Sequence, residues 1–239
     1  MVTVENRIVI TTKLVYDENM KRKTLFLSVV FLLSALSLSA CLPAWVSMDQ
    51  LPWLKEGQVL FKDDFSDLTT GWGNVNNIYE LKGYSENAYV ISVKNADSRS
   101  WSVPGLRFKD VQVSVDAKRI SGEQDTNFGL ICRYQDPNNY YSYLISSDGY
   151  YALIRISEGE EVLLGMEQFV YSDVIAQGDG LNKISISCIG DQLSLTVNGK
   201  TLHSVRDDSF SAGDVGLIVE TREAGAASVL FSNFSVTKQ

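Results

Sequence analysis

The chain has 239 residues, of which 45% are hydrophobic and only four are proline. This composition argues against a disordered chain and predicts one folded domain of the larger β type with a sizeable core. The formal net charge of −8 at pH 7 does not suit binding to a phosphate backbone, so nucleic acid is excluded as a partner.

The N-terminal region has the pattern of an export signal. From Met20 the chain reads MKRKTLFLSVVFLLSALSLSAC, in which three basic residues precede an uncharged run, small residues and a cysteine. The uncharged run, residues 24–40, is short for a membrane-spanning helix. Its last residues and the cysteine, LSAC, resemble the bacterial lipobox, whose cysteine thiol receives a diacylglycerol. This resemblance implies that residues 20–40 are a lipoprotein signal peptide and that Cys41 is lipidated.

Residues 1–19 precede this signal and include three acidic residues, whereas export signals normally begin with positive ones. We therefore treat residues 1–40 as the signal segment and hypothesise that Met20 is the true start. An ordinary signal peptide and an uncleaved anchor stay open as alternatives. These features predict an extracytoplasmic protein of the bacterial cell envelope, attached to the lipid bilayer through Cys41.

Residues 41–57 contain two of the four prolines and no clear period, so they are predicted to form the lipidated cysteine and a short tether. The folded domain is then predicted to span residues 58–239. It contains Cys132 and Cys188, and in an oxidising compartment these two are expected to form a disulfide. Two buried free thiols are the alternative.

From Gln58 onward, runs rich in Val, Ile, Tyr, Ser and Thr alternate with turns of Gly, Asn and Asp, which predicts an antiparallel sandwich or barrel. Turns are predicted at DPNN (136–139) and, as two-residue hairpins, at Asp148-Gly149, Gly190-Asp191 and Asn198-Gly199. In the stretch with the Gly190-Asp191 and Asn198-Gly199 turns, alternation places these side chains on the core face: Ile184, Ile186, Cys188, Leu193, Leu195, Val197 and Leu202.

The DPNN and Asp148-Gly149 turns predict a three-stranded meander with two different faces. The core face is predicted to carry Phe128, Leu130, Cys132, Tyr134, Tyr141, Tyr143, Ile145, Tyr150, Ala152, Ile154 and Ile156. The opposite, open face is predicted to carry Arg133, Ser142, Tyr151 and Arg155, with Trp101 from the segment SRSWSVPG above it.

These five residues on the open face are the predicted ligand-binding residues. Aromatic rings offer sugar rings a flat apolar partner, while arginine and serine form hydrogen bonds to hydroxyl groups. An ordinary solvated surface is the alternative. Ile131, Leu144 and Leu153 are predicted on the same face, and a broad apolar patch centred on them would instead indicate a protein partner.

The order of strands and turns from FKDDFSDLTTGW (61–72) to VLFSNFSV (229–236) resembles the concanavalin A-like jelly rolls, and especially their laminin-G-like and glucanase-like bacterial modules. The segments FGLICRYQDPNNYYSYLISSDGYYALIRI, VNGKTL and SAGDVGLIVET carry the resemblance. It implies an all-β, two-sheet antiparallel jelly-roll sandwich whose first and last strands pair. This fold hosts lectins, glycoside hydrolases and adhesion modules alike, so it does not fix a function.

The sequence favours a non-catalytic module. The jelly-roll glucanases carry their catalytic carboxylates in an ExDxxE pattern on one strand, which the chain lacks. The acidic stretch SEGEEV (157–162) is expected to be a solvated loop, and no Ser/His/Asp set is present. No catalytic residue is therefore predicted. The predicted function is binding of glycan or another extracellular polymer; an exported glycoside hydrolase-like enzyme and a protein-binding adhesion or assembly module are the alternatives.

The resemblance also implies a structural calcium ion near the first and last strands, where Asp63, Asp64 and Asn233 offer hard oxygen ligands. These residues do not have the spacing of a ligand loop. We therefore predict no metal and no other cofactor, with calcium as the alternative.

Overall fold

The computed structural model of the chain describes residues 46–223 and 225–239. The predicted signal segment and Cys41 lie outside the described residues. Within the two described ranges, no helix is long and apolar enough to cross a membrane.

The described residues form sixteen β-strands and one short 3-10 helix, Met48–Gln50. The strands are β1 (Val59–Asp63), β2 (Val75–Asn76), β3 (Glu80–Tyr84), β4 (Tyr89–Val93), β5 (Arg99–Ser102), β6 (Val111–Ser121), β7 (Asn127–Asp136), β8 (Asn139–Ser146), β9 (Tyr150–Ser157), β10 (Glu160–Leu163), β11 (Val170–Tyr171), β12 (Asn182–Ile189), β13 (Gln192–Val197), β14 (Lys200–Arg206), β15 (Asp214–Glu220) and β16 (Ala227–Lys238).

The strands form two antiparallel sheets. The first has nine strands in the order β14-β13-β12-β6-β16-β4-β3-β2, with β1 also paired to β16. The second has seven strands in the order β10-β9-β8-β7-β15-β5, with β11 paired to β9. The all-β, two-sheet antiparallel architecture is thus as predicted, and the pairing of β1 with β16 confirms that the first and last strands lie together.

The main core lies between the two sheets and follows the alternation of side chains along each strand. In the nine-stranded sheet, β6 buries Val111, Val113 and Val115. In the seven-stranded sheet, Leu130 and Leu217 are buried in the same cluster. Full burial of each such aliphatic side chain stabilises the fold by about 1.5–3 kcal/mol.

A disulfide between Cys132 on β7 and Cys188 on β12 joins the two sheets, which confirms the predicted pair. Its sulfur atoms are 2.01 Å apart, and the Cα atoms are 7.0 Å apart. The hydroxyl of Tyr143 lies 3.1 Å from the Cys188 sulfur. The only covalent link between distant parts of the described chain therefore runs through the centre of the core.

The three residues suggested as calcium ligands form hydrogen bonds with other protein groups. The buried Asp63 carboxylate accepts hydrogen bonds from the Phe65 N–H at 2.7 Å and the Trp72 indole at 2.8 Å. Asp64 accepts from Ser66, and Asn233 donates to Asp116 at 2.9 Å. No cluster of three His, Cys, Asp or Glu residues suited to a metal ion occurs in the described part of the chain. Asp63 instead holds Phe65, whose φ of 61° is left-handed, against Trp72.

Part of the predicted tether, residues 46–57, packs on the sandwich. The N–H of Met48 donates to the Arg107 carbonyl at 2.7 Å. The fully buried Asp49 accepts hydrogen bonds from the Lys109 and Asp110 N–H groups at 2.7 and 2.9 Å. These bonds fix the chain that leads into β1 to the loop before β6.

Candidate functional site

A second apolar cluster covers the face of the seven-stranded sheet that points away from the nine-stranded sheet. We refer to this face as the outer face. Its buried members are Ile131, Tyr140, Leu144, Ala152, Ile154, Ile156 and Ile218. Trp101, Tyr134 and Phe169 are partly buried against them. A sheet that buries side chains on both faces is well suited to hold a site rigidly.

The outer face differs from the predicted open face because the turn after β8 is longer than predicted. Three residues, Ser147 to Gly149, separate β8 from β9, and Gly149 has a φ of 96°. Tyr143 therefore pairs with Leu153 rather than with Ile154. Asp-Gly also suits the end of a three-residue loop with glycine in the left-handed region. A slip of one residue moves every side chain of β9 to the opposite face.

Because of this slip, the predicted positions of Tyr151 and Arg155 on the open face are wrong. The Tyr151 ring packs in the main core, and its hydroxyl donates to the Leu202 carbonyl at 3.1 Å. Arg155 faces the same side and donates to the Asp207 carboxylate at 2.6 Å and to Ser209 at 2.9 Å. The predicted core residues Ala152, Ile154 and Ile156 lie on the outer face instead.

The prediction for Arg133 is also wrong, because β7 is irregular where it approaches the DPNN turn. Cys132 pairs with Tyr141 instead of Tyr143, and the register shifts before Asp136. Arg133 has a φ of 53° and a side chain that is only 2% exposed. Its guanidinium donates to backbone carbonyls, so it is part of the interior at one end of the sandwich.

Ser142 and Trp101 do lie on the outer face. Ser142 is fully buried between Ile131 and Ile154, and its hydroxyl has no hydrogen-bond partner among the residues that the structure describes. The indole of Trp101 donates to the Tyr134 hydroxyl at 3.3 Å.

The apolar patch that would favour a protein partner is not exposed. Ile131 and Leu144 are fully buried on the outer face, and Leu153 lies in the main core. This part of the sheet therefore offers no apolar docking surface of the predicted kind.

A cleft of about 460 Å³ opens beside the outer cluster, where several strands of the sheet begin or end. Arg99 begins β5 and pairs with Glu220, the last residue of β15. Glu220 in turn pairs with Asn127, the first residue of β7. Glu161 of β10 lines the opposite side, and Arg222 follows β15. The cleft is therefore lined by charged and amide side chains on adjoining strand ends.

Arg99 is the centre of the polar contacts in the cleft. Its guanidinium forms an ion pair with Glu161, lies 3.8 Å from a carboxylate oxygen of Glu220 and donates to the Tyr140 hydroxyl at 3.3 Å. Burial alone would lower the pKa of Arg99, but Glu220 and Tyr140 act in the opposite direction and the net pKa shift is upward. The Arg99 guanidinium is thus a permanent positive charge whose position is held by its three partners.

The contact between Arg99 and Glu161 also shows that the outer face is concave. Their strands, β5 and β10, are the opposite edges of the main strand path in this sheet. In a flat sheet, five strand spacings would separate them by about 24 Å. Side chains from the two edges can meet only because the sheet curves around the outer face.

The carboxyl group of Glu220 is a buried acid of the cleft with a raised pKa. Burial raises its pKa, and the Arg99 guanidinium and a hydrogen bond from Asn127 only partly offset that effect. A carboxyl group in this position can hold a proton more readily than a solvated one. It can therefore serve as donor or acceptor toward a hydroxyl group.

Aromatic rings complete the outer face. The rings of Trp101, Tyr134 and Tyr140 form a contiguous group, with centroids 5.7 to 6.4 Å apart. At the far side of the cleft, the Arg222 guanidinium lies 5.0 Å from the centre of the Phe169 ring. A concave site with a few converging polar groups between apolar walls is the usual form of a small-molecule site.

Sequence reasoning missed the charged residues of this site. Arg99 is two residues before Trp101, so strand alternation places both on one face, and Glu220 relates to Ile218 in the same way. Alternation along β5 and β15 is therefore the sequence signal for these two residues. The stretch SEGEEV is not a loop throughout, because Glu160–Leu163 forms β10. Glu161 on this strand is 45% exposed, as expected for a solvated carboxylate, and it also forms an ion pair with Arg99.

No protein-family model and no curated protein matches the chain. Among solved structures, it is similar to a carbohydrate-binding module from Bacillus subtilis, with 17% identity, 71% of this chain and 96% of that chain covered, and a TM-score of 0.57. It is also similar to a Bacillus subtilis protein of unknown function with a galectin-like fold, at 13% identity, 77% and 97% coverage and a TM-score of 0.57. A Bacillus licheniformis β-glucanase matches at 11% identity, 77% and 100% coverage and a TM-score of 0.56. These likenesses confirm the predicted jelly-roll fold.

Proposed function

We propose that the cleft around Arg99 binds a glycan without cleaving it, and that the protein displays this site outside the cytoplasm on a lipid anchor. The observation that carries the proposal is the position of Arg99, held on a concave sheet face among Glu161, Glu220 and Tyr140. Two of the similar structures are a carbohydrate-binding module and a β-glucanase, and their names support glycan as the ligand of the cleft.

The chemistry of the cleft suits sugar hydroxyls. Neighbouring hydroxyl groups on a sugar ring are donors and acceptors carried by adjacent carbon atoms, and a guanidinium or a carboxylate can bind two of them together. Phe169, Ile154 and Leu163 line the same cleft and offer apolar contact to the C–H groups of the ring. A purely anionic ligand is disfavoured because Asp97, Glu161 and Glu220 share the cleft with the two arginines.

Replacing Arg99 with alanine is expected to weaken glycan binding at least tenfold, which corresponds to about 1.4 kcal/mol. Affinity electrophoresis in gels that contain soluble β-1,3-glucan, xylan, β-2,6-fructan or mannan measures this directly. The Glu161→Gln variant, which changes a more exposed group, should also weaken binding and guards against misfolding of the Arg99 variant. Arg206→Ala is the matched control, because Arg206 is 73% exposed and pairs with Asp191 on the other sheet.

Failure of all four polysaccharides to retard the native protein would contradict the proposal. Equal losses in the Arg99→Ala and Arg206→Ala variants would contradict the location of the site. Melting temperatures of the variants show whether each is folded when its binding is measured.

Glycoside hydrolysis is the second candidate function, because two carboxylates of the cleft, Glu161 and Glu220, lie on either side of one guanidinium. Hydrolysis by paired carboxylates needs the scissile bond between them, and Arg99 occupies that position. We therefore favour binding over cleavage. Release of reducing sugar from the same polysaccharides, abolished by Glu220→Gln, would favour the enzyme instead.

The lipid anchor rests on the LSAC segment and on the export signal before it. The disulfide in the core agrees with an oxidising compartment outside the cytoplasm. The Cys41→Ser variant is therefore expected to lose radiolabelled palmitate and to move from the membrane fraction to the soluble fraction. Retention of label and membrane location by that variant would contradict lipidation of Cys41.

A further inference from the structure

A second pocket of about 380 Å³ adjoins the cleft on the other side of Arg99. Its walls come from β3 and β4 of the nine-stranded sheet and from β5 of the seven-stranded sheet, so it lies at the junction of the two sheets. Ser98 and Arg99 line both the pocket and the cleft. Both volumes fall within the roughly 300–1,000 Å³ that is usual for small-molecule sites.

Tyr79 gives this pocket an exposed aromatic ring. The side chain is 62% exposed, although its backbone is fixed on both sides. The Asn77 carboxamide oxygen accepts hydrogen bonds from the N–H groups of Tyr79 and Glu80, at 2.8 and 2.9 Å, and the Lys94 N–H donates to the Tyr79 carbonyl at 2.9 Å. An exposed ring on an anchored backbone loses little conformational freedom when a ligand covers it.

Tyr79 differs from other exposed tyrosines in the described part of the chain. Tyr150 and Tyr171 are also exposed, but their rings pack edge to face on each other, with centroids 5.6 Å apart. No aromatic ring packs against Tyr79 within the described residues. Since Tyr79 is 62% exposed and lines the pocket, its side chain is accessible to a ligand there.

The remaining walls of the pocket are polar and ordered. Lys82 donates to the Trp101 carbonyl at 2.7 Å and lies 3.3 Å from the Glu80 carboxylate. Trp101 itself lines the pocket and belongs to the aromatic group of the outer face. The path from Tyr79 past Trp101 and over Arg99 into the cleft is thus lined throughout by groups that suit sugar rings and hydroxyls.

We infer that this pocket is a second sugar subsite, and that the ligand is an oligosaccharide or polysaccharide chain that passes over Arg99 and places one ring on Tyr79. The inference rests on the proposed glycan binding at the cleft and adds the size of the ligand. A single sugar would fill only one of the two spaces, whereas a chain of at least two residues fills both.

Chain-length dependence of binding tests this inference. The polysaccharides of the gel panel are partly hydrolysed, and their monosaccharide and tetrasaccharide fractions compete with the polysaccharide for the native protein. The tetrasaccharide is expected to bind at least tenfold more tightly than the monosaccharide. Tyr79→Ala should remove about tenfold of tetrasaccharide affinity and leave monosaccharide affinity within twofold, while Tyr79→Phe, which keeps the ring, should bind like the native protein.

Tyr171→Ala is the matched control, since it removes an exposed tyrosine outside the pocket. Equal affinity of the two fractions would overturn the second subsite and leave glycan binding at the cleft intact. An unchanged tetrasaccharide affinity of Tyr79→Ala, or an equal loss in Tyr171→Ala, would do the same. Failure of every polysaccharide to bind would overturn the proposed function and this inference together.

Discussion

Replacing Arg133 with alanine is expected to lower the free energy of unfolding by about 3–5 kcal/mol. The guanidinium donates to the Phe210 and Gly190 carbonyls at 2.7 Å and to the Lys109 carbonyl at 3.4 Å. These carbonyls belong to three separate loops, and Asp110 lies 3.8 Å away. Without the guanidinium, buried acceptors have no partner, and each such group costs about 1–3 kcal/mol. Urea unfolding followed by intrinsic fluorescence measures the loss.

The control for this variant is Arg206→Ala, which removes a solvated surface pair and is expected to change stability by less than about 0.5 kcal/mol. In polysaccharide gels, the folded Arg133→Ala variant should bind like the native protein, because neither Arg133 nor the residues to which it donates line the cleft. A stable Arg133→Ala variant that had lost glycan binding would contradict the structural role and restore the role first predicted for Arg133.

Local patterns in the sequence were sufficient to predict strand register where the turn residues allowed only one loop length. In the hairpin of β12 and β13, Gly190-Asp191 forms the predicted two-residue turn, and Ile189 pairs with Gln192. Six of the seven side chains predicted for the core face of this stretch are buried, and the seventh, Leu202 on β14, is partly buried against the core. The alternation of strand and turn residues also predicted the antiparallel sandwich. The disulfide was predicted from the expected oxidising compartment, and the pairing of the first and last strands was implied by the resemblance to the jelly rolls.

The Asp148-Gly149 dipeptide was not sufficient to predict the register between β8 and β9, because it occurs in both two-residue and three-residue hairpin loops. The three-residue loop shifts β9 by one residue, which places Tyr151 in the main core and Arg155 on the same side of the sheet, where it pairs with Asp207. The predicted position of Arg133 was wrong for a different reason. Its left-handed backbone breaks the alternation near the end of β7, and no periodic pattern predicts that position.

The candidate site depends on sheet curvature, which local patterns do not specify. Arg99, Glu161 and Glu220 are far apart in the sequence and meet because opposite edges of one sheet approach across its outer face. Alternation along β5 and β15 was enough to place Arg99 and Glu220 on that face. It could not show that Glu161, on the far edge strand, would join them.

Removing the disulfide with a Cys132→Ala, Cys188→Ala double substitution is expected to lower the free energy of unfolding by about 4 kcal/mol. The two cysteines are 56 residues apart in the sequence. Closing a loop of that length restricts the unfolded chain, and the chain-entropy relation gives about 4 kcal/mol at 25 °C. The loss should appear as a lower urea midpoint, with a slope that is equal or steeper, because the unfolded chain without the link is less compact and exposes more surface.

A reductant separates the covalent link from packing at the same position. Because the bond is buried between β7 and β12, dithiothreitol should act only as the protein unfolds, and unfolding in its presence should bring the native protein close to the double variant. The double variant itself should not respond to dithiothreitol. If reduced native protein were as stable as oxidised protein, the link would not stabilise the sandwich. Glycan affinity of the folded double variant should be unchanged, since β5, β10 and the end of β15 carry the cleft and neither cysteine contacts it.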